Sequence, residues 1–587
     1  MLERNDRAGR RRRVNVTAEM FSPGECVALA LHGDVGAAVV GERGGAASWP
    51  MPEAIEEIRR LEHDVGPRWV WWGQDTARRL VDADVRPARC WDLDAVHRLV
   101  NGGWREGPAR VWATAHGLDP ATAPTPTPID LFHAASDPAD GAVRPDGFLD
   151  PYWIEGRWSD DLDTLARWAA LALEVQRLQR LALDGLDDRP AAGSTARSES
   201  AAAVLCAELE HDGLPIDVAE AERIIASFVG PRPRDAAEEH RLTDERDQRV
   251  LRHLGATGAG VDLRNPANVK SLLRRAGIEV PDTRAWRLER LRDRHPVVDA
   301  LLEWRTAERI GTTFGYRWLD EHVADGRLRG SWSPSDGAAG RMTATAGLHN
   351  LTADLRPAIV AEPDHLFVRA DLGQIEPRVL AAVSGDAALA AATEEDDMYA
   401  PVAARLGVER DVAKVAVLGA MYGQTTGHGA AALSGLRRNY PVAVDYLDAA
   451  ARRAEGGNDL RTRGGRLVRM SVPSGSEHDD APTGDDRSRA AARGRYGRNA
   501  MVQGAAAEFF KTWAAIVRAR CVPLDARIVL CLHDELLVHS AETDATAVVE
   551  AIADGLQEAA HRWLDPALPR VRFVADTSVV RRWSDAK

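Results

Sequence analysis

The chain has 587 residues, of which 45% are hydrophobic and 28% charged, and its net charge is -14. This length predicts several domains, since one hydrophobic core rarely grows past ~250–300 residues. The negative charge argues against a protein that coats nucleic acid without specificity, although it leaves room for a local basic cleft. Five scattered cysteines predict reduced thiols and no structural zinc. The cysteine pattern fits a reducing cytoplasm, and because no apolar run reaches the ~18 residues of a membrane span, we expect no membrane partner.

The amino-terminal third predicts a tail, an α/β domain and a linker. Residues 1–22 are basic and lack the apolar segment of a secretory signal, which predicts a disordered tail. Residues 23–185 alternate helical segments with strand-like ones such as Cys26–Leu31 and Trp69–Trp72, as an α/β domain does. Residues 186–200 are small and polar, which predicts a linker.

A helical and arginine-rich stretch over residues 201–335 precedes a mixed region. There the apolar segment His365–Ala370 predicts a strand that ends on Asp371. A helix should begin just before Pro377, because proline is tolerated only in the first turn of a helix. Asp371 thus lies where a strand gives way to a helix, and taken alone it is more simply a turn residue.

Four side chains recur every fourth residue along one face of a predicted helix: Arg410, Lys414, Leu418 and Tyr422. Two cations, an apolar residue and an aromatic one suit a surface that grips a polyphosphate and a flat base. The alternative is an ordinary amphipathic helix whose cations extend to solvent at its edge.

A second polar face has the same spacing and follows a polar, loop-like stretch at 471–493. It consists of Arg495, Asn499 and Gln503. Such a face could donate hydrogen bonds to a sugar-phosphate backbone or to base edges. The alternative is a network of helix-cap and loop hydrogen bonds.

The most informative stretch is Arg527–Ser540, an apolar strand-like run interrupted by His533, Asp534 and Glu535. Ionised carboxylates are costly in such a run unless something compensates their charge, and a cation is the simplest partner. Two adjacent acids therefore indicate either a metal site or a tight turn in which both acids are solvated.

In this order, the elements from residue 201 to the carboxyl terminus resemble the polymerase region of family A DNA polymerases, the bacterial DNA polymerase I group. The resemblance includes actinobacterial proteins often described as bifunctional 3′–5′ exonucleases and DNA polymerases. Five stretches resemble the family motifs DYSQIELR, RxxxKxxxFxxxYG, RxxxNxxxQG, HDE and TGR…NLQN, and they are respectively Asp371–Arg378, Arg410–Gly423, Arg495–Gly504, His533–Glu535, and Gly340-Arg341 with Asn350.

The resemblance implies a multidomain α/β protein with the right-hand polymerase fold. The implied parts are a thumb at 201–335, a palm at 336–400 and 499–587, and fingers at 401–498. The implied function is template-directed DNA synthesis in repair or gap filling, by a monomer associated with the nucleoid. Its partners would be primer-template DNA and deoxynucleoside triphosphates.

Residue roles follow from the same resemblance. The implied metal ligands for two Mg²⁺ ions, or Mn²⁺ in their place, are Asp371, Asp534 and the backbone carbonyl of Leu372. Glu535 and Lys414 complete the catalytic set. The implied nucleotide-binding residues are Gln374, Glu376, Arg410, Lys414, Leu418 and Tyr422. The implied DNA-binding residues are Arg341, Asn350, Arg495, Asn499, Gln503 and His533. Leu418 replaces an aromatic residue of the family, which leaves discrimination between sugars open.

By its position, the amino-terminal domain resembles an RNase H-like 3′–5′ exonuclease domain. Its opening strand lacks the expected Asp-x-Glu, and Arg79 and Ala172 stand where the family has acids. An arginine cannot replace a metal-ligating carboxylate, so we expect a degenerate domain without exonuclease activity.

The alternatives to synthesis are a DNA-binding protein with a degenerate polymerase fold and little turnover, or a two-metal nuclease. We expect no separate 5′-nuclease domain.

Overall fold

The computed structural model of the protein describes residues 20–103, 106–124, 141–254, 261–423, 430–470 and 486–586, with the backbone alone at 430–433. The chain divides into two compact units. The first contains the described residues up to His211, then Trp332–Thr343 and Val368–Ser578. The second contains Asp212–Ser331, Ala344–Phe367 and the described residues from Val579.

The amino-terminal part of the first unit is the α/β structure that the sequence predicts. Its elements are β1 (Cys26–His32), β2 (Gly36–Gly41), β3 (Ala46–Pro50), α1 (Glu53–Asp64), β4 (Arg68–Trp71), α2 (Gln74–Asp82), β5 (Cys90–Asp92), α3 (Leu93–Asn101), α4 (Gly107–Ala115), α5 (Pro151–Glu155), α6 (Leu162–Asp184) and α7 (Ala192–Asp212). The strand order is β3-β2-β1-β4-β5, with β1, β4 and β5 parallel and β2 and β3 antiparallel. Strand β1 is almost wholly buried, as a central strand covered on both faces should be.

Two boundaries of the predicted domains need correction. Residues 1–19 of the predicted tail lie outside the described residues, but Phe21 is buried and packs in the core beside β1. The linker predicted at 186–200 is wrong for residues 192–200, which form the first turns of α7. Their small side chains allow close packing, and Glu199 among them is 1% exposed because it pairs with buried cations.

The second unit carries the helical periodicity predicted for 201–335. Its elements in chain order are β6 (Leu214–Pro215), α8 (Val218–Val229), α9 (Ala236–Leu251), α10 (Pro266–Arg275), α11 (Ala285–Glu289), α12 (Pro296–Thr313), α13 (Tyr316–His322), β7 (Val323–Ala324) and β8 (Arg327–Leu328). Helix α12 packs against α8 and α9, and its apolar face closes a core around Leu272 and Leu301. The three short strands form one sheet in the order β6-β8-β7.

The remaining elements of the chain include a four-stranded sheet. They are β9 (Trp332–Asp336), β10 (Arg341–Ala344), β11 (His365–Leu372), α14 (Ile375–Ser384), α15 (Ala387–Ala392), α16 (Tyr399–Leu406), α17 (Arg410–Tyr422), α18 (Ala430–Asn439), α19 (Pro441–Glu455), β12 (Leu460–Arg461), β13 (Leu467–Val468), α20 (Asp486–Cys521), β14 (Arg527–Leu532), β15 (Glu535–Ala541), α21 (Ala545–Trp563) and β16 (Ala575–Val580). The four-stranded sheet has the order β14-β15-β11-β16, so β11 and β15 are neighbours although they are far apart in sequence.

Helix α20 departs from two expectations. The stretch predicted as a loop at 471–493 is helical from Asp486 onward, while 471–485 lie outside the described residues. The same helix continues to Cys521 and therefore crosses the predicted boundary between fingers and palm at 498/499. Its middle is buried and packs against α19 and α21, and the helix continues without interruption through the boundary. Among the described helices, none has both the length and the apolar character that crossing a bilayer requires.

Candidate active site

Two acid-bearing chain segments meet at one edge of the four-stranded sheet. Strands β14 and β15 form a hairpin in which Leu532 faces Glu535, so that His533 and Asp534 make a two-residue turn. His533 has a φ of +26°, a backbone conformation that tight turns impose. The amide of Leu372 donates a 2.8 Å hydrogen bond to the carbonyl of Asp534. Asp371 and Asp534, 163 residues apart in the numbering, are thereby brought to adjacent strand ends.

Burial and mutual repulsion raise the pKa of two carboxylates at this edge, Asp371 and Asp534. Burial, followed by repulsion from Asp371 and Glu535, raises the pKa of Asp534 to about 6. Burial likewise raises the pKa of Asp371, although the nearby Arg369 guanidinium opposes the shift. Glu535 is 7% exposed on the first position of β15. Acids that resist ionisation in this way would gain most from a bound cation.

The donor set suits a hard divalent cation. It consists of carboxylate oxygens, with backbone carbonyls beside them, and Mg²⁺ and similar ions prefer such ligands. The oxygens of Asp371, Asp534 and Glu535 do not all lie within 4.8 Å of one another in the described structure. Among the described residues, the cluster is therefore wider than a closed three-ligand cage.

Arg369 is the residue of this cluster that the sequence reasoning missed. Its Nη2 lies 2.5 Å from Oδ2 of Asp371 and 3.1 Å from Oε2 of Glu535. The signal was present in the sequence, because residues two apart on a strand share one face and an Arg-x-Asp pair therefore projects together.

Four predicted site residues converge beside the carboxylates around Glu376, in the first turn of α14. Its Oε1 accepts a 2.8 Å hydrogen bond from Nη2 of Arg341, and its Oε2 accepts one of 2.8 Å from the phenol of Tyr422. Burial, together with the hydrogen bond to Glu376, raises the pKa of Tyr422 to about 12, and Gln503 hydrogen-bonds the same phenol. Burial and the charge of Arg341 lower the pKa of His533.

Two other predicted residues, Gln374 and Arg410, share one acid, Asp397. Gln374 adopts the left-handed conformation at a φ of +55° and donates from Nε2 to Oδ1 of Asp397 at 2.7 Å. Nε of Arg410 lies 2.5 Å from Oδ2 of the same carboxylate. Asp397 was not predicted as a site residue. It closes an acidic run, Glu394–Asp397, that could have drawn attention to it.

The predicted face of α17 is present. Arg410 and Lys414 are exposed, whereas Leu418 and Tyr422 are half-buried, so the helix presents cations toward solvent and the phenol of Tyr422 toward Glu376. Gly423 ends the helix at a φ of +69°. A side chain at that position would approach Arg495 of α20 at 3.0 Å, so a glycine there allows the two helices to meet.

The second polar face lies on α20, where Arg495 is exposed and Asn499 and Gln503 are half-buried. The Oδ1 atom of Asn499 is buried without a hydrogen-bond partner among the described residues. Asn350 belongs to the second unit, where it ends a short 3₁₀ turn and is exposed. Its carbonyl accepts a hydrogen bond from Arg309.

In the amino-terminal domain, tryptophan rings stack close in sequence to the positions where the family resemblance would place metal-binding acids. The rings of Trp72 and Trp168 stack with their centroids 4.7 Å apart, and Trp158 stacks on Trp168 at 6.0 Å. Ala172, one helical turn beyond Trp168, is fully buried. Arg79 is exposed on α2.

Comparison with known proteins identifies the family of the chain. The family model of DNA polymerase family A matches residues 267–585, which is more than half of the chain. DNA polymerase I of Chloroflexus aurantiacus is 30% identical over 46% of this chain and 31% of its own length. A thermostable DNA polymerase I of Thermus thermophilus is 26% identical over 76% of this chain and 54% of its own length. The chain thus spans about a third to a half of these two relatives.

The fold extends beyond the region that the family model matches. The solved structure of the POL domain of Pol1 from M. smegmatis, in complex with DNA primer-template and dNTP, matches with a TM-score of 0.66. The match covers 98% of this chain and 99% of that chain at 19% sequence identity, so it shows a shared fold. The predicted polymerase fold is confirmed, and the chain belongs to DNA polymerase family A.

Proposed function

We propose that the chain catalyses template-directed DNA synthesis, adding deoxynucleotides to a primer 3′-hydroxyl and releasing pyrophosphate, in repair or gap filling. The observation that carries this proposal is the meeting of Asp371 and Asp534 at adjacent strand ends, linked by the hydrogen bond from Leu372 to Asp534. Membership of DNA polymerase family A supports the reaction class.

The acidic edge of the sheet would hold two Mg²⁺ ions, with Mn²⁺ as a substitute. Their ligands would be the carboxylates of Asp371 and Asp534 and the carbonyl of Leu372, while Glu535 supports the site from β15. When bound, such ions would promote attack by the primer hydroxyl and neutralise the charge of the leaving pyrophosphate. The raised pKa values of Asp371 and Asp534 support this assignment, since these acids gain from a cation.

The exposed cations of α17 would bind the incoming triphosphate. Arg410 and Lys414 stand one turn apart and can form charge-assisted hydrogen bonds with phosphate oxygens. The guanidinium of Arg410 is held by its hydrogen bond to Asp397, so it would be in position before the nucleotide binds. Leu418 would lie against the sugar and base, and Gln374 would border the same pocket.

Glu376 and Tyr422 would form the wall and floor of the pocket for the new base pair. The Glu376 carboxylate, fixed by its hydrogen bonds from Arg341 and Tyr422, would exclude a nucleotide that carries a 2′-hydroxyl. The proposed contacts to primer-template DNA are Arg341, Asn350, Arg495, Asn499, Gln503 and His533.

We further propose that the amino-terminal domain lacks proofreading activity. Arg79 and the buried Ala172 stand where the resemblance places two acids that such chemistry needs, and Trp168, one helical turn before Ala172, stacks on Trp72. In this proposal the protein acts as a monomer on primer-template DNA, in the nucleoid region of the cytoplasm.

Primer extension with Mg²⁺ and deoxynucleotides tests the proposal. Wild type should extend a labelled primer according to the template, and Asp534→Ala should not. If the two extend equally poorly, the proposed synthesis is wrong. The second candidate is a DNA-binding protein with little turnover, which is favoured by the ion pair between Arg369 and Asp371. It predicts that wild type retains primer-template DNA in a binding assay but does not extend it.

A further inference from the structure

A cation of the chain itself lies inside the carboxylate cluster. Arg369 projects from β11 on the same face as Asp371, and its side chain is 13% exposed. A single terminal nitrogen, Nη2, contacts both Oδ2 of Asp371 at 2.5 Å and Oε2 of Glu535 at 3.1 Å. Asp371 is a proposed metal ligand, and Glu535 supports the same site. Arg369 therefore holds an oxygen that a metal ion would need.

A third carboxylate lies within reach of the other end of this guanidinium. Nη1 of Arg369 is 3.9 Å from Oδ2 of Asp576, on the neighbouring strand β16. The Asp576 side chain is 73% exposed, whereas that of Glu535 is 9% exposed. If Arg369 releases Asp371, Glu535 and Asp576 remain as partners on either side of it, so the charge need not be left without an acid.

An arginine in this place affects metal binding by charge as well as by geometry. Its guanidinium does not lose its proton under any ordinary condition, so the positive charge is present in every state of the site. It competes with a divalent ion for the Asp371 oxygen, and it repels that ion at short range in a partly buried setting where screening is weak. A role confined to stabilising the fold would require neither effect.

We propose that Arg369 is a resident counter-cation of the active site, which competes with divalent metal for Asp371 and moves toward Glu535 and Asp576 when metal binds. This inference rests on the metal site of the proposed function. Its consequence is that half-saturation needs a higher metal concentration than the same carboxylates would need without the arginine, and that Asp371 and Glu535 have a counter-charge before metal arrives.

Calorimetric titration of the full chain with Mn²⁺ alone, without DNA or nucleotide, tests the inference. Arg369→Gln removes the charge and keeps most of the side-chain length, and we expect it to bind Mn²⁺ at least about tenfold more tightly than wild type. Arg527→Gln is the matched control. It makes the same charge change at the far end of the hairpin, where Arg527 pairs loosely with Asp525 at 3.8 Å, and its affinity should equal that of wild type.

Thermal unfolding separates competition from a purely structural role. Without metal, Arg369→Gln should have a lower Tm than wild type, because the carboxylates then repel one another. Saturating Mn²⁺ should remove most of this difference. A structural arginine predicts instead that the deficit persists in Mn²⁺ and that the affinity is unchanged or weaker, and either result would overturn the inference.

Arg369→Lys keeps the test valid if the glutamine variant does not fold. Lysine retains the charge but lacks the fork that contacts several carboxylates, so we expect Arg369→Lys to bind Mn²⁺ more tightly than wild type. An affinity no tighter than wild type contradicts competition. These titrations do not depend on primer extension. Tighter Mn²⁺ binding with no extension would therefore refute the proposed synthesis and leave the inference standing.

Discussion

The phenol of Tyr422 donates a 2.8 Å hydrogen bond to the carboxylate of Glu376, which links the end of α17 to the start of α14. The other oxygen of Glu376 accepts from Arg341 at the same distance. Two donors from separate chain segments thus fix one carboxylate beside the acidic cluster. A carboxylate held in this way suits the rigid wall of the proposed nucleotide pocket, whereas a mobile one would yield to a larger sugar.

Removing one of the two donors should therefore loosen sugar discrimination. We expect Tyr422→Phe to lower the ratio of kcat/KM for deoxynucleotides to kcat/KM for ribonucleotides by roughly tenfold. A hydrogen bond to a charged group contributes about 1.5–3 kcal/mol, and about 1.4 kcal/mol corresponds to a factor of ten. Single-nucleotide insertion kinetics measure the ratio. An unchanged ratio would show that Arg341 alone suffices to hold Glu376.

Loss of one proposed metal ligand should abolish synthesis without unfolding the protein. We expect Asp534→Asn to reduce the rate of primer extension by about 10³-fold or more, because charge stabilisation by bound metal is worth several kcal/mol of the barrier. Asp525→Asn is the matched control. Asp525 lies before the same hairpin, its side chain is 94% exposed, and its φ of +44° suits asparagine. Equal losses of primer-extension rate in the two variants would show that Asp534 has no role in the active site.

Asp534→Asn should also raise the stability of the folded protein at neutral pH when metal is absent. The pKa of Asp534 is raised from 3.8 to about 6 in the folded protein, mainly by burial. Between these two values the folded state holds more protons than the unfolded state, so the free energy of unfolding falls as pH rises through this window. The loss is at most about 3 kcal/mol, since one pKa unit corresponds to about 1.36 kcal/mol.

Asp534→Asn carries no charge at any pH and escapes this loss. In a chelating buffer, its Tm should exceed that of wild type at pH 7.5, and the difference should shrink toward pH 4. A difference that is constant with pH would mean that Asp534 ionises normally in the folded state.

The amino-terminal domain should not shorten DNA. Labelled single-stranded DNA incubated with wild type and Mg²⁺ should keep its length. Asp534→Ala serves as the control, because any metal-dependent shortening that survives in this variant must arise outside the polymerase site. Such shortening would refute the proposal that the domain is catalytically inert.

Local patterns in the sequence predicted the strand and helix that carry the candidate site residues, while the roles of those residues stay predictions. The i, i+4 spacing on α17 and the strand-to-helix change at Asp371 are short-range signals, and both appear in the structure as expected. The ion pair between Arg369 and Asp371 follows from strand alternation, but it was not predicted because the family motif begins at Asp371. The hydrogen bonds that Asp397 makes with Gln374 and Arg410 depend on tertiary packing, which no periodicity reports.

The predicted linker failed for a different reason. A small, polar composition is shared by flexible chains and by helices that pack closely, and only the partners distinguish the two. In α7 the carboxylate of Glu199 receives a 2.6 Å hydrogen bond from Nζ of Lys511 on α20 and pairs with Nη2 of Arg466 at 2.6 Å. All three side chains are at most 3% exposed, so what the sequence presents as polar is an internal ion network.

That network predicts a large and specific loss of stability. We expect Glu199→Ala to lower the free energy of unfolding of the first unit by about 3–5 kcal/mol, because two buried cations would be left without their shared carboxylate. The measurement is the shift in Tm, or in the midpoint of urea unfolding, relative to wild type. Glu56→Ala is the control. It breaks an ion pair with Arg59 in which the two side chains are 68% and 43% exposed, and such a surface pair is worth about 1 kcal/mol or less. If Glu199→Ala lowers the free energy of unfolding no more than Glu56→Ala does, this network does not hold residues 192–200 in place. That result would favour the predicted linker.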